Sequence, residues 1–252
     1  MDHSGKHALV TGGGTGIGRD IALALAAAGA EVTITGRRMD VLEDVAKDSP
    51  RIHALQMDVA DEASVRDGIA AAAQARGPVQ ICVANAGIAT GGPFAKTTLP
   101  QWREMMTTNL DGVFLTFQAA MATLAPDTPA RMIVISSIAG VRGLKNAIPY
   151  TVTKHGVIGL IRGLSEEYMR APITFNAICP GYVDTDIVEN QIPGLMKRFD
   201  TDRAGAVAAI ASGNRHKQLL EVDEVTAAAM WLCSDGARSV NGQTVEISGG
   251  QV

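Results

Sequence analysis

Short apolar segments alternate along the chain with longer segments of helical periodicity. Seven of the short runs, most of them rich in β-branched residues, have the length and composition typical of strands. They lie at residues 8–10, 32–34, 52–55, 79–83, 132–135, 174–178 and 244–247. Several are apolar almost throughout, which is the pattern of strands covered on both faces.

Between these runs, apolar residues recur at helical spacing. The predicted helices cover residues 17–28, a segment from Met39 to just before Pro50, a segment that opens at Asp61, and residues 100–124 and 149–169. Strands and helices that alternate in this way form a parallel sheet through right-handed crossovers. The 252 residues therefore predict a single α/β domain, a doubly wound Rossmann-type sheet of about seven parallel strands with helices on both faces.

Residues 186–220 depart from this alternation. They lie between the sixth and seventh predicted strands and mix charged residues with glycine, proline and apolar side chains. We expect a small helical insertion over the open end of the sheet. It would act either as a substrate-binding lid or as an ordinary surface segment, and its position favours the lid.

Composition narrows the class of protein. A chain with 46% apolar residues is not disordered, and a net charge of −4 argues against nucleic-acid binding. Cys82, Cys179 and Cys233 lie far apart among apolar neighbours, so we expect buried thiols and no metal site or disulfide framework. No apolar run could span a membrane, and residues 1–7 lack the apolar core of a signal peptide. The expectation is a cytoplasmic protein that binds neither membranes nor nucleic acid.

A glycine-rich turn joins the first predicted strand directly to a helix. Gly12, Gly16 and Gly18 give the spacing GxxxGxG. Glycines let the backbone approach a ligand closely, and the start of a helix offers free N–H groups to a pyrophosphate. A plain turn is the alternative, but the position between strand and helix favours a dinucleotide site.

The end of the second predicted strand distinguishes between the two nicotinamide dinucleotides. Chains that bind NAD usually place a carboxylate there to hold the ribose 2′-hydroxyl. Here Arg37 and Arg38 stand at that position, and a guanidinium can bind a 2′-phosphate. This favours NADP(H), although NAD(H) is possible if the arginines are solvated or stack on adenine.

Two further segments follow strands that should end near the cofactor. Asp58 could accept a hydrogen bond from the adenine amino group or simply lead into the next helix. Asn85, Ala86 and Gly87 follow the fourth strand, where small residues let a loop pass close to a ligand.

Tyr150, Lys154 and Ser137 form a candidate proton-transfer group. Tyr150 and Lys154 are four residues apart on one helix face, and Ser137 follows the fifth strand. A neighbouring ammonium group is expected to lower the pKa of a tyrosine, which can then exchange a proton with an alcohol or ketone. His155 lies off this face and is interpreted as structural. Asn109, among apolar residues of the fourth helix, indicates either a helix distortion or a buried polar contact.

Taken together, the motifs resemble those of the short-chain dehydrogenase/reductase family over essentially the whole chain. The matching residues are Thr11, Gly12, Gly16, Ile17, Gly18, Asp58, Val59, Asn85, Ala86, Gly87, Asn109, Ser136, Ser137, Tyr150, Lys154 and the segment from Pro180 to Thr185. Ala84 departs from the usual pattern, which has asparagine there. The resemblance implies a catalytic tetrad of Asn109, Ser137, Tyr150 and Lys154. In the family the lysine also binds the nicotinamide ribose, and the asparagine backbone holds a water in a proton relay.

The resemblance also implies which residues contact the cofactor and how the chain assembles. The implied cofactor contacts are Gly12, Thr15, Gly16, Ile17, Gly18, Arg37, Arg38, Asp58, Val59, Asn85, Ala86, Gly87, Tyr150, Lys154, Pro180, Gly181, Val183 and Thr185. The family usually forms homotetramers. The apolar stripe of the fifth predicted helix, at Val157, Ile161, Leu164 and Tyr168, would then lie at an interface.

Within the family, residues 176–183 and 188–193 are similar to 3-hydroxybutyrate dehydrogenases. Gln191 would match a glutamine that helps hold the substrate carboxylate, beside Ser137 and Tyr150 as the other substrate contacts. The remaining carboxylate ligands are missing, because alanines stand where a glutamine, a histidine and a lysine are expected. These alanines are Ala89, Ala139 and Ala147. The sequence therefore does not predict free 3-hydroxybutyrate as substrate.

The expected function is NAD(P)-dependent hydride transfer between a secondary alcohol or ketone and the cofactor, with Tyr150 as acid and base. A 3-hydroxyacyl-CoA dehydrogenase or 3-oxoacyl thioester reductase is the alternative. In that case Arg142 or Lys145 could meet a CoA phosphate, although solvation is the simpler interpretation. A catalytically idle nucleotide-binding regulator is a third possibility, against which the intact Ser137, Tyr150 and Lys154 set argues.

Overall fold

A seven-stranded parallel sheet forms the centre of the structure, a computed structural model that describes residues 1–250. The strands are β1 (His7–Thr11), β2 (Glu31–Gly36), β3 (Ile52–Gln56), β4 (Val79–Ala84), β5 (Ala130–Ile135), β6 (Ile173–Pro180) and β7 (Thr244–Ile247). Their order across the sheet is β3-β2-β1-β4-β5-β6-β7, and every neighbouring pair is parallel. The predicted doubly wound sheet is confirmed. Because the strand order reverses between β1 and β4, a crevice opens at their carboxyl ends.

Ten α-helices connect and cover the strands in the described part of the chain. They are α1 (Gly16–Ala27), α2 (Met39–Ala46), α3 (Glu62–Arg76), α4 (Leu99–Met106), α5 (Gly112–Met121), α6 (Ile148–Glu167), α7 (Asp186–Glu189), α8 (Ile192–Phe199), α9 (Arg203–Ala211) and α10 (Val222–Cys233). Helix α10 was not predicted from the sequence. Among residues 1–250, no helix has both the length and the apolar content needed to cross a membrane.

Two apolar cores lie on opposite faces of the sheet. Successive strand residues point to opposite faces, so Ala8 and Val10 enter the core beneath α1, α2 and α10, while Leu9 enters the core beneath α3, α5 and α6. This double coverage explains why the strands are apolar throughout. The three cysteines are free and buried, as expected. Burial raises the pKa of Cys179 to about 11.

The apolar stripe of α6 belongs to the second of these cores. Val157 and Ile161 are fully buried, and Leu164 and Tyr168 pack beside them. The prediction that this stripe forms a subunit interface is therefore wrong. Its residues pack against the sheet within one chain.

The predicted helix over residues 100–124 is interrupted in the middle. A π-helical turn, Thr107–Asp111, separates α4 from α5 and contains the buried residue Asn109. Both expectations for Asn109 are met, because the helix is distorted and the side chain makes buried polar contacts.

The insertion after β6 consists of the short helices α7, α8 and α9. Val188, Ile192, Ala206 and Ile210 bury one another in a small cluster that is separate from the two main cores. The segment is therefore a locally packed unit at the carboxyl edge of the sheet.

The buried residue His7 should make the stability of the fold sensitive to acid. Its Nδ1 atom lies 2.8 Å from the Gly77 carbonyl oxygen and its Nε2 atom 2.8 Å from the Thr33 hydroxyl. Since a carbonyl only accepts, Nδ1 carries the proton and Nε2 accepts from Thr33. Burial lowers the pKa of His7 below its ordinary value, so the unfolded chain binds the proton more readily.

We expect the free energy of unfolding to fall as the pH drops below about 6.5, and to fall less steeply in a His7→Gln variant. Urea unfolding at pH 7.5 and 5.5 measures this difference. His155→Gln is the matched control, because His155 is exposed on α6. An equal drop in wild type and His7→Gln would contradict the expectation.

Candidate active site

The predicted site residues follow the carboxyl ends of six strands, β1 to β6, at one edge of the sheet. Two pockets lie along this edge and share Gly87 and Ile88, so they form one continuous cleft. The pocket beside the end of β2 is called the β2-side pocket. The pocket between the ends of β5 and β6 is called the β6-side pocket.

The glycine-rich turn forms the floor of the β2-side pocket. Gly12 has φ +65° and a Cβ there would lie 2.9 Å from the Asn85 Nδ2 atom. A side chain on Gly14, which also lines the pocket, would lie 2.9 Å from Val41. The turn is thus a cradle that only glycine can form, at the start of α1, where free N–H groups favour an anion.

Gly16 and Gly18 shape this turn without lining either pocket. Gly16 has φ +52°, and a Cβ on Gly18 would lie 2.4 Å from both the Gly12 carbonyl oxygen and the Asn85 Nδ2 atom. Asn85 itself donates from Nδ2 to the carbonyl oxygens of Thr11 and Gly12 at 3.0 and 3.1 Å. The missing side chain of Gly18 therefore makes room for a contact between β1 and β4.

Thr11 also takes part in the contact between β1 and β4. The sequence analysis did not predict this role. Its hydroxyl accepts hydrogen bonds from the backbone N–H groups of Asn85 and Ala86, both at 3.0 Å. The partners lie more than 70 positions away, so no local pattern could have revealed them.

Two arginines stand at the rim of the β2-side pocket. Arg37 and Arg38 line it and are exposed, and neither guanidinium bonds to another residue in the described part of the chain. Asp58 and Val59, which follow the neighbouring strand β3, line the same pocket. One Asp58 oxygen accepts from the Ala60 N–H at 3.0 Å, so this carboxylate both begins the turn to α3 and faces the pocket. Thr15 and Ala86 also line this pocket.

Ser137, Tyr150 and Lys154 come together in the β6-side pocket. The Lys154 Nζ atom donates to the Ile135 carbonyl oxygen at 2.8 Å and lies 5.5 Å from the centre of the Tyr150 ring. The Ser137 hydroxyl accepts from the Ala139 N–H at 3.1 Å, which orients the serine beside the tyrosine.

Burial controls the protonation of this group. It raises the pKa of Tyr150 to about 12, although the nearby Ser137 hydroxyl lowers that pKa in part. Burial also lowers the pKa of Lys154 to about 8. The expected lowering of the tyrosine pKa by Lys154 is not seen, because desolvation is the largest influence on both groups. Tyr150 is therefore protonated at neutral pH.

Asn109 lies behind the cleft and does not line it. Its side chain is 1% exposed, accepts from the Ile88 N–H and donates to the Ile88 carbonyl oxygen, both at 2.8 Å. Ile88 lies where the two pockets join. Through its side chain, Asn109 thus fixes the wall between them.

The remaining wall of the β6-side pocket is largely apolar. Ile17, Asn85, Pro180, Gly181, Val183, Thr185 and Gln191 line it as predicted, and the sequence did not indicate Ile88, Ile138, Leu144, Ile187 and Val188. Lys154 is the one charged side chain among the described lining residues. The unpredicted residues come from loops and from α7, which carry no motif.

The alanines that depart from the 3-hydroxybutyrate dehydrogenase pattern add no charged group to the β6-side pocket. Ala89 lines the pocket, while Ala139 is fully buried outside it. Gln191 already donates to the Ile187 carbonyl oxygen at 2.9 Å. Arg142 is half-buried, donates to the Gly213 carbonyl oxygen at 3.2 Å and lines neither pocket. Lys145 is exposed and lines neither pocket.

Two other predictions concern groups outside the cleft. His155 is exposed, and its Nδ1 atom lies 2.9 Å from the Thr151 carbonyl oxygen of its own helix, so it takes no part in the site. In the range 1–250, no three His, Cys, Asp or Glu side chains are grouped so that they could hold a metal ion.

Comparison with known proteins agrees with this geometry. The short chain dehydrogenase family matches residues 6–217. An acetoacetyl-CoA reductase of Rhizobium meliloti is 35% identical, with 97% of each chain covered. The crystal structure of levodione reductase matches with a TM-score of 0.91 at 32% identity over 98% of both chains. That of a variant of actinorhodin polyketide ketoreductase with NADPH matches with a TM-score of 0.92 at 28% identity, over 99% of this chain and 98% of that one.

The contact around Gly18 should be essential for stability. A Gly18→Ala substitution places a methyl group against the Gly12 carbonyl, which is backbone and cannot rotate away. We expect it to lower the free energy of unfolding by about 2 kcal/mol or more. Chemical denaturation measures this change.

Gly163→Ala is the matched control. Gly163 lies in α6, and a Cβ there would meet no atom within 4 Å outside its own helix, so the same substitution should stabilise the helix by roughly 0.5–1 kcal/mol. Similar effects at both positions would contradict the packing role of Gly18.

Proposed function

This chain belongs to the short-chain dehydrogenase/reductase family, and we propose that it transfers hydride between NADP(H) and a neutral ketone or secondary alcohol. Membership of the family makes the chain an oxidoreductase that uses a nicotinamide cofactor. The proposal concerns the choice of cofactor, the chemical class of the substrate and the roles of individual residues. The observation that carries it is the largely apolar wall of the β6-side pocket around Tyr150, in which Lys154 is the one charged side chain among the described residues.

The cleft fits a dinucleotide that runs across both pockets. The glycine cradle, Asp58 and Val59 would hold the adenosine half in the β2-side pocket, and the start of α1 would face the pyrophosphate. Pro180, Gly181, Val183 and Thr185 would surround the nicotinamide half. When bound there, the nicotinamide supplies or accepts the hydride.

Tyr150 is assigned the proton transfer. In the reductive direction its hydroxyl donates a proton to the substrate oxygen while hydride adds to the carbonyl carbon, so the ketone becomes an alcohol. A pKa of about 12 keeps this proton in place at neutral pH, which suits a proton donor. Ser137 would donate a hydrogen bond to the same oxygen. Lys154 would bind the nicotinamide ribose, and Asn109 would maintain the wall at Ile88.

The preference for NADP(H) rests on Arg37 and Arg38. Both line the pocket with guanidinium groups that bond to none of the described residues, and β2 ends without a carboxylate. A 2′-phosphate would meet two positive charges there, whereas NAD(H) would leave them unused.

The substrate class follows from the wall of the β6-side pocket. Lys154 is the one cation among the described residues of that wall, and it is assigned to the nicotinamide ribose. A free carboxylate would have no other cation there to pair with, so a neutral group beside the carbonyl is favoured. A 3-oxoacyl thioester is the second candidate, because its reacting end is also neutral and the relative from Rhizobium meliloti is named for such a substrate. The insertion at residues 186–220 would act as the lid, since Ile187, Val188 and Gln191 already face the pocket.

Assembly and location are further parts of the proposal. The family resemblance supports a homotetramer. Three buried free thiols favour a reducing compartment such as the cytoplasm.

A turnover screen tests the proposed reaction. We expect the protein to oxidise NADPH with neutral ketones or acetoacetyl-CoA, and to be much less active with acetoacetate. Tyr150→Phe, which removes the donated proton, should lower kcat by about a thousandfold. Tyr168→Phe is the matched control, because Tyr168 packs against Phe175 in the core away from the cleft.

Two outcomes of this screen would count against the proposal. A Tyr150→Phe variant with the wild-type rate would remove the proton-transfer role. The absence of turnover with every carbonyl would favour a nucleotide-binding regulator.

The cofactor preference is tested by an Arg37→Asp variant. A carboxylate at this position repels a 2′-phosphate and can accept from a ribose hydroxyl, so the NADPH:NADH affinity ratio should fall by about tenfold or more. Fluorescence titration measures both dissociation constants. Arg66→Asp, on the exposed face of α3, should leave the ratio unchanged, and an unchanged ratio in Arg37→Asp would refute the preference.

A further inference from the structure

We propose that Asn214, which no motif singles out, is a positioning residue that holds the Tyr182 segment of the β6-side pocket in place for the nicotinamide half of the cofactor. The proposal rests on the placement of the nicotinamide in that pocket, as proposed above. Asn214 itself lines neither pocket. It acts through the backbone of Tyr182, which does line the β6-side pocket.

The Asn214 side chain binds the backbone of Tyr182 on both sides. Its Oδ1 atom accepts from the Tyr182 N–H at 2.8 Å, and its Nδ2 atom donates to the Tyr182 carbonyl oxygen at 2.9 Å. The same Nδ2 atom also donates to the Gln218 carbonyl oxygen at 2.7 Å. Carbonyl groups only accept, so these partners fix the orientation of the amide. Since Asn214 is 1% exposed, water cannot replace the three bonds when they are lost.

Asn214 lies where the chain leaves and re-enters the main fold around the insertion. Val183 and Leu220 form a parallel bridge, the Leu220 N–H donates to the Tyr182 carbonyl oxygen, and the Asp184 N–H donates to the Leu220 carbonyl oxygen, both at 2.9 Å. The two ends of the insertion are therefore tied together, and Asn214 is the side chain that completes the tie. Helices α7 to α9 lie between these ends.

Steric contacts show how closely this segment is packed. A Cβ on Gly181 would lie 2.1 Å from the Asn214 Oδ1 atom, and a Cβ on Gly213 would lie 2.3 Å from the Tyr182 ring. The Gly213 carbonyl oxygen in turn accepts from Arg142, which follows the Ser137 turn. The pocket wall at Tyr182, the ends of the insertion and the loop after Ser137 thus meet around Asn214.

The test compares a complete coenzyme with a fragment that lacks the nicotinamide. NADPH should span both pockets, whereas 2′-phospho-ADP-ribose should reach only the β2-side pocket. In Asn214→Ala we expect the dissociation constant of NADPH to rise about tenfold. That of the fragment should change by no more than about twofold, because its contacts are remote from Asn214. The KM for the ketone should rise as well.

A merely stabilising residue would lower the melting temperature without changing the ratio of the two affinities. Asn214→Ala with the wild-type ratio would therefore overturn the proposal. Ser212→Ala is the matched control, because Ser212 is an exposed residue of the insertion whose hydroxyl donates to the Ala209 carbonyl oxygen. It should leave both affinities unchanged.

Asn214→Asp is a second test, in which the new side chain has nearly the same shape as asparagine. It keeps the acceptor for the Tyr182 N–H but sets a carboxylate oxygen against two carbonyl oxygens, so it should also weaken NADPH more than the fragment. An unchanged ratio in this variant would equally overturn the proposal.

Hydrogen exchange of the wild-type protein tests the same proposal and does not depend on whether a variant folds. The Tyr182 amide should exchange more slowly than the amides of α7 and α8, with and without NADPH. Exchange as fast as in those helices would overturn the tie at Tyr182. Failure of the proposed function would instead appear as an absence of ketone turnover in the wild-type protein, which separates the two conclusions.

Discussion

The cleft depends on the contact that holds the carboxyl ends of β1 and β4 together. At this point the chain order reverses, and helices leave toward opposite faces of the sheet. The Thr11 hydroxyl and the Asn85 amide satisfy backbone groups that the ladder between the two strands no longer reaches. Both pockets use residues from this junction, since Gly12 lies on one side and Asn85 on the other. The glycine turn therefore has two roles: it allows β1 and β4 to pack closely, and it offers a site for a phosphate group.

Desolvation dominates the chemistry of the β6-side pocket. The same burial that excludes water from the reacting group moves Tyr150 and Lys154 toward their uncharged forms. A tyrosine that retains its proton still carries the hydrogen that reduction of a ketone requires. Taking a proton from an alcohol would require additional stabilisation of the phenolate.

Sequence patterns predicted those parts of the structure that depend on interactions between residues close together in the chain. The seven strands, the glycine turn and the Tyr150–Lys154 face follow from periodicity and spacing over a few residues. Thr11 and Asn214 could not be found in this way, because their partners lie 74 and 32 positions along the chain. The stripe on α6 was assigned to an interface through the family resemblance. The sequence pattern could not correct this, because an apolar face has the same pattern whether it meets the sheet or another subunit. The effect of burial on the pKa of Tyr150 could not be predicted either, because the depth of burial is a property of the folded chain.

The π-helical turn at Thr107–Asp111 acts as a one-residue register shift between α4 and α5. An α-helix advances by about 100° per residue, so the extra residue turns the faces of the two helices relative to each other by about that angle. Deleting one residue from this segment would restore a continuous helix and rotate α4 away from its present neighbours. Length, as well as sequence, is thus constrained here, and this segment should tolerate substitutions at Thr107 more readily than any insertion or deletion.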